Sequence, residues 1–378
     1  MKKKRKLKKG RVLLVILLLL LLPSVLLYFS FNKKSSKKIE PKEEKTEPIE
    51  VKPEKKSMSL IMVGDAVIHN GIYLDARVSG DTYDFKDMFT YIKDEIKDYD
   101  LKYYNQETII GGKNLGLSNY PRFNSPDEIG SDLVATGFNL VSLATNHTMD
   151  KNEEGVLYTV DFWKTQNAIT SGAYSSFEER DNIKVNEQNG IKYAFLSYTT
   201  STNGLPVPSG KEYLVNVYSE EKVKEDIEKI KDKVDVIIVA MHWGEEYTHT
   251  PVQSEKDIAG YLSSLGVNLI IGSHPHVIQP VDYINDTLVI YSLGNFISAQ
   301  HSLGIDKIIG LMVGLDINVE DGKVTFDNID KQLIYTYCTS AYKDFKIYPF
   351  SKLDDSILNN YKSIEEEYMN IVNTKVEY

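Results

Sequence analysis

The sequence predicts an α/β sandwich, helices outside and sheet inside, on three observations. Apolar runs of strand length alternate with helix-spaced apolar patterns through much of the chain, the order expected where helices cover a sheet. Hairpin signals replace that alternation later. Seven polar motifs, most of them directly after an apolar run, come in succession: Gly64-Asp65, Asn105-Gln106-Glu107, Asn146-His147-Thr148-Met149-Asp150, His242-Trp243-Gly244-Glu245, Gly272-Ser273-His274-Pro275-His276, Gln279-Pro280 and Ser292-Leu293-Gly294-Asn295-Phe296. Four of the seven histidines fall inside them. Asp, Glu, Asn and His at the ends of buried strands suggest a divalent-metal site across one edge of a sheet.

Residues 1–11 carry eight Lys or Arg and no acid, and residues 12–31 carry no charge. Twenty residues at about 1.5 Å each span roughly 30 Å, one bilayer core, and a basic flank stays cytoplasmic. A cleaved signal peptide would need a shorter apolar region and a small-x-small site. No such site follows, and no Cys offers a lipid anchor. The segment is therefore read as an uncleaved, single-pass signal anchor in the cell membrane, with the N-terminus cytoplasmic and the main domain extracellular. Residues 32–57 are almost wholly Lys, Glu, Pro and Ser, with too little apolar surface to offset ordering entropy, and read as a disordered stalk. The whole chain carries −10, yet residues 58–378 carry −21. A domain so acidic is not a general nucleic-acid binder. Cys338 is the single cysteine, so no intrachain disulfide forms and stability rests on core burial or metal.

The elements follow in order. Residues 59–63 are a buried strand ended by Gly64-Asp65. Phe85, Met88, Phe89, Ile92 and Ile96 recur at helical spacing, and residues 101–104 are a strand delivering Asn105 and Glu107. Ser125-Pro126 opens a helix that Gly137 stops. Residues 139–143 are a strand feeding Asn146-His147, and residues 153–166 a helix. Residues 192–198 are a strand, and residues 219–232 a charged amphipathic helix capped by Ser219. Residues 234–241 form an all-buried strand ending at His242. A helix over 257–265 and a strand over 267–271 lead to Gly272. Residues 281–284 and 288–293 pair across Asn285-Asp286, and residues 308–319 and 323–326 pair around 320–322. A charged helix near 353–372 closes the chain. Residues 58–335 are thus one domain, and residues 336–378 a C-terminal helical extension.

The motifs carry unequal weight. Asp65 and Glu107 alone read as a turn cap and an exposed acid. Asn146-His147 is stronger, because an amide oxygen can ligate a cation while the adjacent imidazole donates a proton. Asp150, three residues on, can orient that imidazole. His242 ends the most apolar strand, but the polar and aromatic residues after it read as a lined pocket. In His274-Pro275-His276 an extended segment would put both imidazoles on one face, with Pro275 holding it extended. The set approaches that of a two-metal hydrolase, in which ions roughly 3.5–4 Å apart share a carboxylate and activate water. Imidazole with carboxylate suits Mn, Fe or Zn.

In this order the motifs resemble those of the capsule-synthesis CapA family, membrane-anchored proteins that accompany poly-γ-glutamate production and export. The match covers roughly residues 57–319. The family in turn resembles the calcineurin-like metallophosphoesterases, which implies a four-layer α/β/β/α sandwich. The resemblance further implies one ion held by Glu107, Asn146, His242 and His274, and another by Asp65, Glu107 and His276. His147 would be the acid facing the leaving group. Two positions depart from the metallophosphoesterase pattern: Val67 stands where a His is usual, and Glu107 where a bridging Asp is usual. Ser292–Phe296 is expected to serve structure, through a turn at Gly294.

The expected function is envelope-polymer biosynthesis or export, with a divalent-metal hydrolase site acting on a phosphoester or γ-glutamyl amide bond. The rival is a non-catalytic module that grips an anionic polymer such as poly-γ-glutamate, or scaffolds the subunits of a capsule synthase.

Overall fold

The computed structural model describes residues 55–378. The basic flank, the apolar span and nearly all of the stalk lie outside the described residues. Among those described, no helix is long and apolar enough to cross a membrane.

The first half alternates as the apolar pattern requires. Strand β1 (Lys56–Ala66) leads to α1 (Asn70–Asp75) and a small hairpin, β2 (Arg77–Ser79) with β3 (Thr82–Tyr83). Next come α2 (Thr90–Ile96), β4 (Leu101–Asn105), α3 (Asp127–Thr136), β5 (Leu140–Ser142), α4 (Asn152–Lys164) and β6 (Ile169–Ser171). After α5 (Phe177–Asp181) the chain forms β7 (Asn186–Gln188), β8 (Ile191–Thr199), α6 (Glu220–Ile230), β9 (Val236–His242), α7 (Gln253–Ser264) and β10 (Leu269–Ser273). The remainder is β11 (Val281–Ile284), β12 (Thr287–Ile290), β13 (Asn295–Ile297), β14 (Ile309–Glu320), β15 (Lys323–Tyr337), β16 (Lys346–Pro349) and α8 (Tyr361–Val372).

Two sheets result. One has eight strands in the order β16-β15-β14-β1-β4-β5-β6, with β13 joining β1; the other has six, β11-β12-β10-β9-β8-β7. Met58, Leu60 and Met62 of the first sheet share an apolar cluster with Phe195, Ile238 and Ile271 of the second, so the sheets face each other across this core. Ile61 and Val63, on the opposite side of β1, pack with Ile92, Leu133 and Val156 of three helices. Ile237 and Val239 likewise pack outward onto Val223, Ile227, Ala259 and Leu262 of α6 and α7. Period-2 alternation within each strand thus feeds two cores at once. Each fully buried Leu or Ile contributes about 1.5–3 kcal/mol to them.

Two stretches differ from the sequence reading. The strand read as 323–326 runs on to Tyr337, because the sheet covers a segment that Asp327, Asn328 and Asp330 make look like a loop. Residues 336–378 contribute more than a helix: β16 pairs antiparallel with the end of β15, Ile334 opposite Pro349. The cap at Ser219 is present, its hydroxyl accepting from Lys222 N at 3.2 Å.

One close crossing positions the chemistry. Asp65 N donates to Gly294 O at 3.0 Å, and a Cβ on Gly64 would lie 1.8 Å from that same oxygen. Only glycine lets β1 and β13 meet here, which brings Asp65 level with Asn295.

Candidate metal centre

Strands β1, β4 and β5 run parallel, as do β8, β9 and β10, so their carboxyl ends open on one edge. Ligands bind at that edge in open α/β sheets. Register makes the ends level: Asp65 stands beside Asn105, and His242 beside both Thr199 and Ser273. Glu107 lies two residues past β4, Asn146 and His147 past β5, and His274 directly past β10. Six of the sequence-predicted residues, Asp65, Glu107, Asn146, His242, His274 and His276, therefore arrive at one place.

The contacts among them are dense. Asp65 Oδ1 accepts from Asn105 Nδ2 at 2.8 Å, and Oδ2 from the backbone N–H of His274 at 3.1 Å. Single ligand atoms of Asp65, Glu107 and His242 all lie within 4.8 Å of one another. His276 Nε2 is 3.4 Å from Glu107 Oε1, and its Nδ1 is 3.6 Å from Asp65 Oδ2. His242 Nε2 is 3.0 Å from Asn146 Oδ1 and 3.2 Å from His274 Nδ1.

Tautomers follow from the neighbours. Ser273 Oγ donates to Met241 O at 3.3 Å, so at 2.9 Å it accepts from His242 Nδ1. That leaves His242 Nε2 a lone pair, facing Asn146 Oδ1 and His274 Nδ1. Asn295 Nδ2 donates to Lys307 O at 2.7 Å, and its Oδ1 accepts from His276 Nδ1 at 3.0 Å. His276 therefore also presents a bare Nε2. Hydrogen bonds of this kind fix a ligating imidazole.

Burial is the main force on the titratable groups. It pushes the Asp65 carboxyl up to about 7 and the Glu107 carboxyl well above its usual range, with Asp65 adding to the latter. It pushes His274 down to about 4, His276 to about 3 and His242 well below its usual value. At neutral pH the three rings are unprotonated and able to ligate. Both Glu107 oxygens and Asn105 Oδ1 are buried without any hydrogen-bond partner among the described residues. Unpaired buried acceptors are costly, and converging lone pairs repel unless a cation lies between them. The donor set therefore fits a divalent ion.

The extended reading of the His-Pro-His triplet is corrected. His274 has φ 97° and His276 φ 59°, a region unfavourable for side chains with a Cβ. The segment bends, and each such residue costs roughly 1–3 kcal/mol, a strain typical of functional sites. The bend puts the His274 N–H on Asp65, which an extended run would not do.

His147 stands at the side. Its Nδ1 donates to Asp150 Oδ2 at 2.7 Å, an oxygen that Phe123 N–H also contacts at 2.6 Å. Its ring meets Phe123 edge-on at 4.8 Å.

Sequence reasoning missed several contributors. Asn105, Ser273 and Asn295 orient other groups, and nothing in their spacing marks that task, although all three sit inside the motifs. Phe123 carried no signal at all.

Buried carboxylates, amides and imidazoles at the facing carboxyl edges of two sheets define a sandwich protein built round a prospective cation centre. The chain belongs to the bacterial capsule synthesis protein PGA_cap family, whose model matches residues 59–300. It is 24% identical over 340 residues to the capsule biosynthesis protein CapA of Bacillus anthracis, a match covering 83% of this chain and 80% of that protein. It is 31% identical over 174 residues to the PGA biosynthesis protein CapA of Bacillus subtilis, covering 43% of each. Among solved structures, a Mycoplasma pneumoniae phosphatase is similar at TM-score 0.47 and 17% identity, over 80% of this chain and 99% of that one. A Candida albicans 5'-nucleotidase is similar at TM-score 0.44 and 10% identity, over 82% of this chain and 57% of that one. Both TM-scores lie below 0.5, and nothing about chemistry follows from them.

Proposed function

We propose that this capsule-synthesis family member is anchored in the cell membrane with its main domain outside. There it would act as a divalent-metal hydrolase on poly-γ-glutamate or a related envelope polymer. One ion would be held by Glu107, Asn146, His242 and His274, and a second by Asp65, Glu107 and His276. Mn, Fe or Zn suits this mixture of imidazole and carboxylate. The observation that carries the reading is Glu107: fully buried, surrounded by other acceptors, and unpaired on both oxygens.

A divalent ion bound there supplies Lewis acidity toward a phosphoryl or acyl oxygen. The chain's own residues do the rest. Asp150 holds the His147 proton on Nδ1 and stabilises the imidazolium, so Nε2 can deliver a proton to the departing oxygen or nitrogen. Asn105, Ser273 and Asn295 keep Asp65, His242 and His276 in their ligating orientation.

Elemental analysis of the purified chain tests the centre. His242→Ala and His274→Ala should each lose bound Mn, Fe or Zn, and an unchanged metal content in both would defeat the proposal.

A second reading, a non-catalytic grip on an anionic polymer or a scaffold for synthase subunits, has one feature in its favour. Lys307 Nζ lies 5.0 Å over the Tyr247 ring, whose centroid is 6.0 Å from that of His276, although the ammonium is paired with Asp306. Turnover separates the two. The metal-loaded chain cleaves poly-γ-glutamate or a generic phosphodiester under the first reading, with loss of rate in His147→Ala, and cleaves neither under the second.

A further inference from the structure

Where Val67 replaces the usual His, another histidine follows two residues later, and no role has been given to it. His69 sits just past the strand that carries Asp65. Val67 N–H donates to Ile297 O at 2.9 Å, and Ile68 N–H to Thr108 Oγ1 at 3.2 Å. The turn is thus tied to the exit of β13 on one side and to the residue after Glu107 on the other. His69 is half-buried, and its ring meets the edge of Phe123 at 5.4 Å with the planes 89° apart. His147 meets the same Phe123 at 4.8 Å and 86°. Two imidazoles therefore grasp one buried phenyl ring.

Their free nitrogens differ in kind. His147 Nδ1–H donates to Asp150 Oδ2, which leaves Nε2 bare in the neutral ring. For His69, Nδ1 has two neighbours, Val67 O at 3.0 Å and Ala299 N at 3.3 Å. Val67 O already receives the His69 backbone N–H at 2.9 Å. The Ala299 N–H has no acceptor other than His69 Nδ1 among the described residues. Val67 O keeps a second lone pair able to accept from Nδ1, but it is already hydrogen-bonded once, whereas leaving the Ala299 N–H unpaired is costly. Nδ1 is therefore assigned as the acceptor and the ring proton to Nε2. That Nε2–H has no partner among the described residues, and in this tautomer it cannot ligate a metal.

We infer that His69 is a substrate-binding residue, its Nε2–H donating to an anionic oxygen, phosphoryl or carboxylate, on the side of the centre where His147 meets the leaving group. The inference rests on reading the cluster as a metal centre with His147 at its side, and it adds a neutral donor on the His147 side of the cluster. A neutral donor in this place orients an oxyanion without competing for the ions.

Two substitutions isolate the donor. His69→Asn keeps an oxygen able to accept from Ala299 N–H but has nothing at the Nε2 position. His69→Gln places an amide N–H near Nε2. The full chain, both metal-loaded and metal-free, is titrated calorimetrically with inorganic phosphate and, separately, with glutamate, and its metal content is measured. Metal content should stay at the wild-type level in both variants. Whichever anion the wild-type chain binds should bind roughly tenfold or more weakly to His69→Asn, the effect of one hydrogen bond to a charged group, and His69→Gln should recover most of that loss. Preference for phosphate or for glutamate tells which oxyanion is meant. Equal binding by His69→Asn and wild type, no binding of either anion by wild type, or loss of metal in either variant overturns the inference. Failure of the wild-type chain to hold metal would defeat the metal reading instead, and the metal-free titration would then judge His69 alone.

Discussion

Two buried polar clusters in this molecule have similar ingredients and opposite bookkeeping. Behind the second sheet, Arg180 grips Asp226 with both terminal nitrogens, Tyr198 OH donates to the same carboxylate at 2.8 Å, and Arg180 Nε reaches Asn216 at 3.2 Å. Every charged atom there has an opposite charge or a hydrogen bond. At the strand edge, Asp65 and Glu107 face only neutral rings, amides and each other, with both oxygens of Glu107 unpaired. The first cluster is complete without help and serves the fold. The second is incomplete by a positive charge and serves a ligand. Burial alone does not separate structure from function here; hydrogen-bond satisfaction does.

The contrast is open to direct attack, starting with the largest effect. Asp226→Ala should cost about 3 kcal/mol of folding free energy, because it leaves the buried Arg180 guanidinium with only Asp181, at 3.0 Å, and Asn216 as partners. Denaturant unfolding should give the same loss with and without a chelator. Glu107→Gln should behave the other way. Its metal-free stability should match that of the metal-free wild type to within about 1 kcal/mol, since the carboxylate makes no hydrogen bond to lose. The stabilisation by added metal, about 3–4 kcal/mol at 100–1,000 times Kd, should vanish. A chelator-sensitive Asp226→Ala, or a Glu107→Gln chain as metal-stabilised as wild type, would erase the distinction.

pH gives the next test. The folded Asp65 carboxyl titrates at about 7 against an ordinary 3.8. In the metal-free chain its contribution to stability is therefore complete below pH 3.8 and lost as pH rises through 7. A cation reverses this, because binding must expel the proton. Below pH 7 each unit should weaken apparent metal affinity at least about tenfold, since Glu107, also pushed up, must lose its proton too, so the metal-induced rise in Tm should be larger at pH 8 than at pH 5.5. His274 and His276, pushed down to about 4 and about 3, stabilise the fold fully above pH 6.5 and cease to do so only as pH falls through those values. They add little to the slope near neutrality. A shift in Tm that is constant with pH, or larger in acid, would place the proton elsewhere.

Much of this edge was legible before any coordinates, and the reason is periodicity. A strand buried on both faces is a continuous apolar run, and the polar residues that follow it must emerge at the sheet's edge; Asp65, Glu107, Asn146, His242 and His274 were readable that way. Orientation was not. Ser273 and Asn295 decide which nitrogen of His242 and His276 is bare, yet hydroxyls and amides bond in any direction and leave no spacing pattern. The shape of 274–276 was misread because the local preference of Pro275 for extended neighbours lost to the bond between His274 N–H and Asp65. Strand β15 was cut short in the reading because Asp327, Asn328 and Asp330 look like a loop, although β14 holds them in register. Local chemistry set where the chain turns; contacts distant in sequence set which way its side chains point.

The smallest expected effect bears most closely on that last point. Ser273→Ala removes one hydroxyl and little volume. With the acceptor for His242 Nδ1 gone, the ring is free to carry its proton on Nε2 and donate to Asn146 Oδ1, which is 3.0 Å away. That tautomer cannot ligate, so metal binding must first move the proton. Loss of such an orienting partner typically costs 10–100-fold in metal affinity, and Asn105 Nδ2, 3.4 Å from Nδ1, adds to the loss because it can then donate there and favour the non-ligating tautomer. The chelated protein should lose no more than about 1 kcal/mol, the net value of one hydrogen bond. Side by side, the two numbers separate roles that a single stability measurement would merge. A drop in metal affinity with near-constant chelated stability means that Ser273 acts through the ring of His242. A drop in both by the same free energy would make Ser273 a packing residue, and unchanged affinity would mean that the ring holds its proton on Nδ1 without help.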